Sequence, residues 1–286
     1  MYIIAVDLGS TNLKAIILKI SESKDETNIE FVGKVRIKTT DFALFIYDII
    51  EKYDINIDCI EKIIATGTGS SYLEDRYRGI EIIKIDEFNA IAYGGLILSK
   101  SEKGMIVSIG TGTTIIYSDM KEIVRLGGTG LGGGTLVGLG KAILSSIYDD
   151  NANVTKFDNL INMAKNGDRN NVDLLIGDIN KGSIGNMSKD ITAANFAAIY
   201  KKAKPEDYIA SALNMILENI SLLVKSLHKD GDIIYIGTMV SDDYVRRCLE
   251  NIAKYTGNRI SFVEDSEYAI AIGAWEYYLL NIRKNY

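Results

Sequence analysis

Short unbroken apolar runs alternate along the chain with segments whose apolar residues recur every third or fourth position. Residues 2–6 form such a run and predict a buried strand, and Asp7-Leu-Gly-Ser-Thr-Asn12 turns it back into a second apolar strand over 13–20. Val32, Val35 and Ile37 stand between Lys34, Arg36 and Lys38 and predict a third strand with one face in solvent. Phe42, Phe45, Ile46, Ile49 and Tyr53 recur at helical spacing. Residues 62–66 and 81–85 predict two more strands, and Asp86 offers an N-cap to a helix over 88–98.

The second half opens in the same way. An apolar run at 105–107 leads into Ser108-Ile-Gly-Thr-Gly-Thr-Thr114, a polar hairpin turn with a returning strand. Arg125-Leu-Gly-Gly-Thr-Gly-Leu-Gly-Gly-Gly-Thr135 then reads as a glycine-rich loop before a helix over 136–147. Glycine lets backbone N–H groups converge on one concavity, and a helix N-terminus adds a positive dipole end, so this surface suits phosphate. Ala5-Val-Asp-Leu-Gly-Ser-Thr-Asn12 and Val107-Ser-Ile-Gly-Thr-Gly-Thr-Thr114 align without a gap, with Asp7 opposite Ser108. Two such hairpins facing each other make a cleft with a phosphate turn on each side.

Farther on, 165–173 is polar, and Asp190-Ile-Thr-Ala-Ala-Asn-Phe196 reads as a capped helix start. Pro205 opens a long helix whose stripe of Ile209, Leu213, Ile216, Leu217, Ile220, Leu223, Val224 and Leu227 serves a core or a subunit interface. A strand over 232–236 ends in Gly237-Thr238. A helix over 242–255, a strand over 259–263 and a last helix from about Ser266 follow. The pattern predicts an α/β protein of two units, residues 1–100 and 101–286, joined near 98–104.

Composition narrows the function. The chain has 286 residues, enough for two cores, and is 47% hydrophobic and 24% charged. A formal net charge of -6 argues against nucleic acid or an anionic membrane as a partner. Cys59 and Cys248 form no metal-binding pattern and suit a reducing, cytoplasmic setting. Asp7 and Lys14 interrupt the N-terminal apolar run, which is neither a signal peptide nor a membrane span. The single histidine, His228, reads as a helix-end cation.

Four side chains are candidates for chemistry. Asp7, at the tip of the first strand, either holds Mg²⁺ beside the first phosphate turn or closes an Asx-turn. Lys14 either reaches a phosphate or is an exposed lysine. Glu87, among the first residues of its helix, either accepts a proton from a substrate hydroxyl or is an ordinary first-turn glutamate. The helix dipole predicts a lowered pKa for it. Arg125 either pairs with a carboxylate or phosphate or ends a strand at the surface.

In order, Asp7-Leu-Gly-Ser-Thr with Lys14, Asp86-Glu-Phe-Asn-Ala90, Gly110-Thr-Gly-Thr113, the Arg125–Thr135 run, Asn166-Gly-Asp-Arg-Asn170, Asp190-Ile-Thr-Ala-Ala-Asn-Phe196 and Tyr235-Ile-Gly237 resemble the type II pantothenate kinases across nearly the whole chain. The arginine–glycine run and Thr-Ala-Ala-Asn-Phe are the most specific parts. The resemblance implies two RNase-H-like domains of the actin, sugar kinase and Hsp70 superfamily, with ATP in the cleft. It implies ATP- and Mg²⁺-dependent phosphorylation of pantothenate, and a homodimer through the long helix. By position it makes Glu87 the catalytic base and Arg125 the pantothenate contact, while the metal role of Asp7 rests on the reading of the residues given above. Gly9, Ser10, Thr11, Asn12, Lys14, Thr111, Thr113, Gly133, Gly134 and Thr135 become ATP contacts, with Thr238 on the adenosine side. Two positions depart from the family: Ser10 replaces a second Gly, and Ile270 replaces the leading Gly of a Gly-Ala-Ile-Gly-Ala ending.

Overall fold

The apolar runs assemble into two sheets of the same design. A computed structural model describes residues 1–22, 27–145, 153–180, 188–199, 202–227 and 231–283; His228 lies outside them. The first sheet uses β1 (Tyr2–Leu8), β2 (Leu13–Glu22) and β3 (Thr27–Ile37) as an antiparallel meander. Helix α1 (Phe42–Tyr53) then crosses to β4 (Ile60–Thr66), which is parallel to β1. β5 (Arg76–Tyr77) and β6 (Ile80–Lys84) complete the order β3-β2-β1-β4-β6-β5, and α2 (Glu87–Ser99) leaves it.

The second sheet repeats this plan with β7 (Gly104–Ile109), β8 (Thr113–Ser118) and β9 (Ile123–Thr129) as its meander. The first part of the glycine run, Arg125–Thr129, is therefore strand rather than loop. Gly128 is required there, because a Cβ would lie 2.6 Å from the Thr113 carbonyl oxygen. Helices α3 (Gly133–Leu144) and α4 (Phe157–Asn166) follow. A small hairpin pairs β10 (Leu174–Leu175), which runs into the single turn α5 (Ile176–Ile179), with β11 (Thr192–Ala194). The expected capped helix at 190–196 is thus a strand followed by a turn. Cross-strand pairing with Leu174 and Leu175 holds it, and the Phe196 N–H donates to the buried Asp173 carboxylate at 3.0 Å. Helix α6 (Pro205–Leu227) crosses to β12 (Asp232–Ile236), α7 (Asp243–Thr256) to β13 (Ile260–Phe262), and α8 (Ala269–Tyr277) comes last. The order β9-β8-β7-β12-β13 repeats β3-β2-β1-β4-β6, strand direction included.

Each sheet buries both faces. Ile209, Leu213, Ile216, Leu217, Ile220 and Val224 of α6 pack with Leu136, Leu160 and Leu249 of α3, α4 and α7 on the outer face of the second sheet. The stripe of α6 is core, each side chain contributing about 1.5–3 kcal/mol of burial. α6 is long and apolar enough to cross a membrane by length and composition, but it is mostly buried here. The inner faces are covered by exchanged helices: Ala274 and Trp275 of α8 lie on the first sheet, and Ile91, Tyr93 and Leu96 of α2 on the second. α2 and α8 cross in backbone contact. A Cβ on Gly94 would lie 2.0 Å from the Ala269 carbonyl oxygen, and one on Gly273 would lie 1.9 Å from that of Ala90.

Candidate active site

Register decides which side chains face the α2–α8 layer. In the first sheet Ile3, Ala5, Ile16 and Ile64 do so. Toward the ends of β1 and β4, Lys14 pairs with Asp7 and Asp7 with Thr66. Strand alternation therefore places these three side chains on the same inner face as Ala5 and Ile64. All are buried, at 5% exposure for Asp7, 7% for Lys14 and 0% for Thr66, so Lys14 is no surface lysine. Its Nζ stands 3.6 Å from Asp7 Oδ2. Burial raises the Asp7 pKa, and the charge and hydrogen bonding of Lys14 pull against that rise. Gly67 follows Thr66 at φ +84°, where a Cβ would lie 2.7 Å from Asp7 Oδ1, so the backbone passes directly beside this carboxylate.

Glu87 enters from α2. Asp86 caps that helix as expected, its Oδ1 accepting from the N–H groups of Phe88 at 2.9 Å and Asn89 at 3.2 Å. The flanking Ile85 and Ala90 pack with Ile3, Ala5 and Ile64, which puts the first turn of α2 on the face that carries Asp7. The expected lowering of the Glu87 pKa is overturned. Burial raises it, and the charges of Asp7 and then Asp86 add to the rise. Two nearby carboxylates and desolvation outweigh the helix dipole.

The two hydroxyl turns meet across the chain. Ser10 Oγ and Thr11 Oγ1 each lie 3.1 Å from Thr111 Oγ1. Ser10, a departure from the family pattern, thus makes a contact that glycine cannot. Gly9 packs tightly under Asn12, a Cβ there falling 2.8 Å from the Asn12 carbonyl oxygen. The N–H groups of Gly133 and Gly134 are already bound to the carbonyl oxygens of Gly110 at 2.8 Å and Thr111 at 2.9 Å. The start of α3 is thereby fixed to the Gly110–Thr111 turn. Thr135 Oγ1 donates to the Gly130 carbonyl at 2.8 Å and Thr113 Oγ1 to that of Leu131 at 2.7 Å, so both hydroxyls brace the loop. Thr238 lies two residues beyond the end of β12, its carbonyl accepting from Ser241 Oγ at 2.7 Å. Arg125 pairs in β9 with Ile116, whose side chain packs with α2; it is exposed and stands on the α2 face of its sheet. A groove of about 410 Å³ opens beside the first turn, lined by Gly9, Ser10, Thr68 and Gly69 among others. A larger hollow, of about 650 Å³ and bordered by Arg169, Asp190, Tyr244 and Tyr255, includes none of the predicted site residues.

Sequence reasoning missed Thr66 and Gly67. The signal was present: Ile63-Ile64-Ala65-Thr66-Gly67-Thr68 and Ile233-Ile234-Tyr235-Ile236-Gly237-Thr238 align without a gap, a second repeat beside the first. Both glycines take positive φ and press on the strand ahead of a turn, Gly67 against Leu8 and Gly237 against Ile109.

Comparison with known proteins agrees with this architecture. The family model described as Fumble matches residues 102–276. A type II pantothenate kinase of Bacillus cereus (strain AH820) is 30% identical, with 96% of each chain covered. One of Oceanobacillus iheyensis is 32% identical over 72% of this chain and 79% of its own. Among solved structures, the activator of the 2-hydroxyisocaproyl-CoA dehydratase from Clostridium difficile, with bound ADPNP, has a TM-score of 0.67 at 18% identity, covering 100% of this chain and 97% of that one. A ROK family glucokinase from Streptomyces griseus, in complex with glucose and AMPPNP, has a TM-score of 0.57 at 13% identity, covering 96% and 98%. At those identities the likeness is one of fold, and the fold is that of the actin-like ATPases and sugar kinases. Matched by the family model over more than half its length and by curated relatives over nearly all of it, the chain belongs to the type II pantothenate kinase family.

Proposed function

We propose that this protein transfers the γ-phosphoryl group of ATP to the primary hydroxyl of pantothenate, giving 4'-phosphopantothenate, the first step of coenzyme A biosynthesis. The observation that carries the reading is the buried row Lys14–Asp7–Thr66 with Glu87 brought against it from α2, in a chain of this family. Glu87 takes the proton of the substrate hydroxyl as its oxygen attacks the γ-phosphorus. The bond to the β,γ-bridging oxygen breaks and ADP leaves. A raised pKa brings Glu87 nearer the working pH and makes it a stronger base than an ordinary glutamate.

Asp7 is the residue to hold Mg²⁺. A single buried carboxylate beside an unpartnered Thr66 hydroxyl suits a cation that keeps much of its water and takes its other ligands from phosphate. Bound there, Mg²⁺ supplies charge neutralisation on the phosphate oxygens. Lys14 leaves Asp7 for a phosphate, and Ser10, Thr11, Asn12 and Thr111 offer polar groups to the same phosphates. Gly133, Gly134 and Thr135, whose N–H and hydroxyl groups hold the loop in place, turn the dipole of the α3 N-terminus toward the nucleotide, and Thr238 borders the adenosine. Arg125 has no ion-pair partner among the described residues and pairs with the pantothenate carboxylate. The reaction is placed in the cytoplasm, and the enzyme is a homodimer through the outer side of α6, where Asn219, Leu222 and Lys225 are exposed.

ADP release over pantothenate, pantetheine, glucose and no acceptor tests the reading. Release that depends on pantothenate supports it. A preference for pantetheine moves the substrate and keeps the chemistry. Hydrolysis without an acceptor assigns the chain to nucleotide-driven switches, whose fold it shares.

A further inference from the structure

We propose that Thr66 is a positioning residue for Asp7. Its hydroxyl donates to the Asp7 carboxylate once Mg²⁺ bound to the nucleotide has displaced Lys14. The inference rests on the reading of Asp7 as the metal-side carboxylate.

Thr66 Oγ1 is fully buried and has no hydrogen-bond partner. A buried hydroxyl without a partner costs stability, and valine fills the same volume without that cost. The strand around it is otherwise apolar on its buried positions, with Ile63, Ile64 and Ala65. Thr66 is the register partner of Asp7 on the adjacent strand, so its hydroxyl lies on the same face of the sheet directly across from it. The carboxylate it neighbours is hemmed on both sides, by Lys14 at Oδ2 and by the Gly67 backbone near Oδ1. When Lys14 turns to a phosphate, Asp7 loses its donor, and Thr66 is the adjacent side chain able to replace it.

The internal repeat supplies an independent comparison. In the second sheet the counterpart of Asp7 is Ser108, and the residue across from it on β12 is Ile236. Where the strand tip carries no carboxylate, its neighbour carries no hydroxyl. The backbone turn that follows is kept in both halves, since Gly67 and Gly237 both take positive φ. The hydroxyl therefore goes with the carboxylate and not with the turn.

The test uses the whole protein with a non-hydrolysable ATP analogue and Mn²⁺ in place of Mg²⁺, read by electron paramagnetic resonance. Thr66→Val should weaken Mn²⁺ binding to the protein–analogue complex about tenfold, the effect of losing one hydrogen bond to a charged group. Affinity for the metal-free analogue should be unchanged. The thermal midpoint without ligand should rise by about 2 °C, because an unsatisfied hydroxyl has been removed. Thr66→Ser should restore metal affinity. Unchanged Mn²⁺ affinity in Thr66→Val overturns the proposal. A lowered midpoint, or failure to fold, also overturns it, because the hydroxyl then has a partner in the free protein. Asp7→Asn separates the two readings. If it keeps full Mn²⁺ affinity, the metal role of Asp7 fails. If it loses Mn²⁺ while Thr66→Val does not, only the role of Thr66 fails.

Discussion

Gly273→Ala places one methyl group where α8 crosses α2. An added Cβ would lie 1.9 Å from the Ala90 carbonyl oxygen and 2.4 Å from the Gly94 nitrogen, and both obstacles are backbone. No rotamer change relieves them, so the helices must separate by roughly 1 Å, enough to forfeit a quarter to a half of the dispersion energy along the contact. The cost is about 3 kcal/mol, the upper part of the range for overpacking a core, and lowers the thermal midpoint by about 6–12 °C in a protein of this size. The effect reaches the chemistry because Glu87 begins the displaced helix. A displacement of about 1 Å at a reacting group costs up to a hundredfold in kcat. Gly138→Ala is the control: it lies in the helix α3 with no atom within 4 Å of the added Cβ, and should stabilise by about 0.5–1 kcal/mol. Calorimetry and steady-state kinetics on both variants read the contrast. A Gly273→Ala midpoint within a degree of wild type would refute the backbone contact and, with it, the view that α2 and α8 fix the position of Glu87.

Glu87→Gln keeps the size of the side chain but cannot take a proton; kcat should fall about a hundred- to ten-thousandfold with pantothenate Kd little changed, and a variant retaining a tenth of wild-type kcat would remove Glu87 from the mechanism. The raised pKa fixes the sign of the pH dependence: kcat/KM should be lost as pH falls, with its acid limb above the range of an ordinary glutamate, and a limb within that range would contradict the burial of Glu87. Arg125→Ala should raise KM for pantothenate about ten- to a hundredfold and spare pantetheine, which has no carboxylate; equal losses would assign Arg125 to phosphate instead. Leu222 is 51% exposed on the outer side of α6, so Leu222→Lys should weaken a dimer built there at least tenfold in sedimentation equilibrium. A monomeric wild type, or an unaltered dimer in the variant, would exclude that interface.

Much of the frame is legible from the chain because burial and periodicity coincide. The runs before Asp7 and Ser108 are apolar on both strand faces, since helices cover both, and the gapless match of the two turns betrays the repeat. Asp86 announces α2 because its capping bonds are local. What escapes is set by distant contacts. β9 hides behind Gly127 and Gly128, which look like loop residues until the Thr113 carbonyl is seen to exclude a Cβ. Asp190-Ile-Thr has the composition of a helix cap, but Arg169, which donates to the Asp190 carbonyl and to Thr192 Oγ1, fixes the segment extended. Lys14 reads equally as a phosphate contact or an exposed lysine, because nothing nearby in sequence says that α8 will pack on β2. The pKa of Glu87 is raised first by burial and then by Asp7, eighty positions away, neither of which is visible in the local dipole.

The repeat also explains how one fold gives two unequal halves of a site. The backbone is duplicated, down to the positive φ of Gly67 and Gly237, but the inner-face side chains at the strand tips are not. The first sheet places Asp7, Lys14 and Thr66 there, and the second places Ser108, Thr114 and Ile236. Among these tip residues the carboxylate and the ammonium thus belong to the first sheet, with Arg125 on the inner face of the second, and α2 brings Glu87 to them. Two carboxylates drawn together in a buried place repel, which is why Asp7 raises the pKa of Glu87. A cation held by Asp7, as proposed above, would offset that repulsion. With the roles proposed for Asp7 and Glu87, seating of Mg²⁺-bound ATP would therefore ease loss of the Glu87 proton, against the rise that burial keeps in place, at the stage when a hydroxyl needs a base.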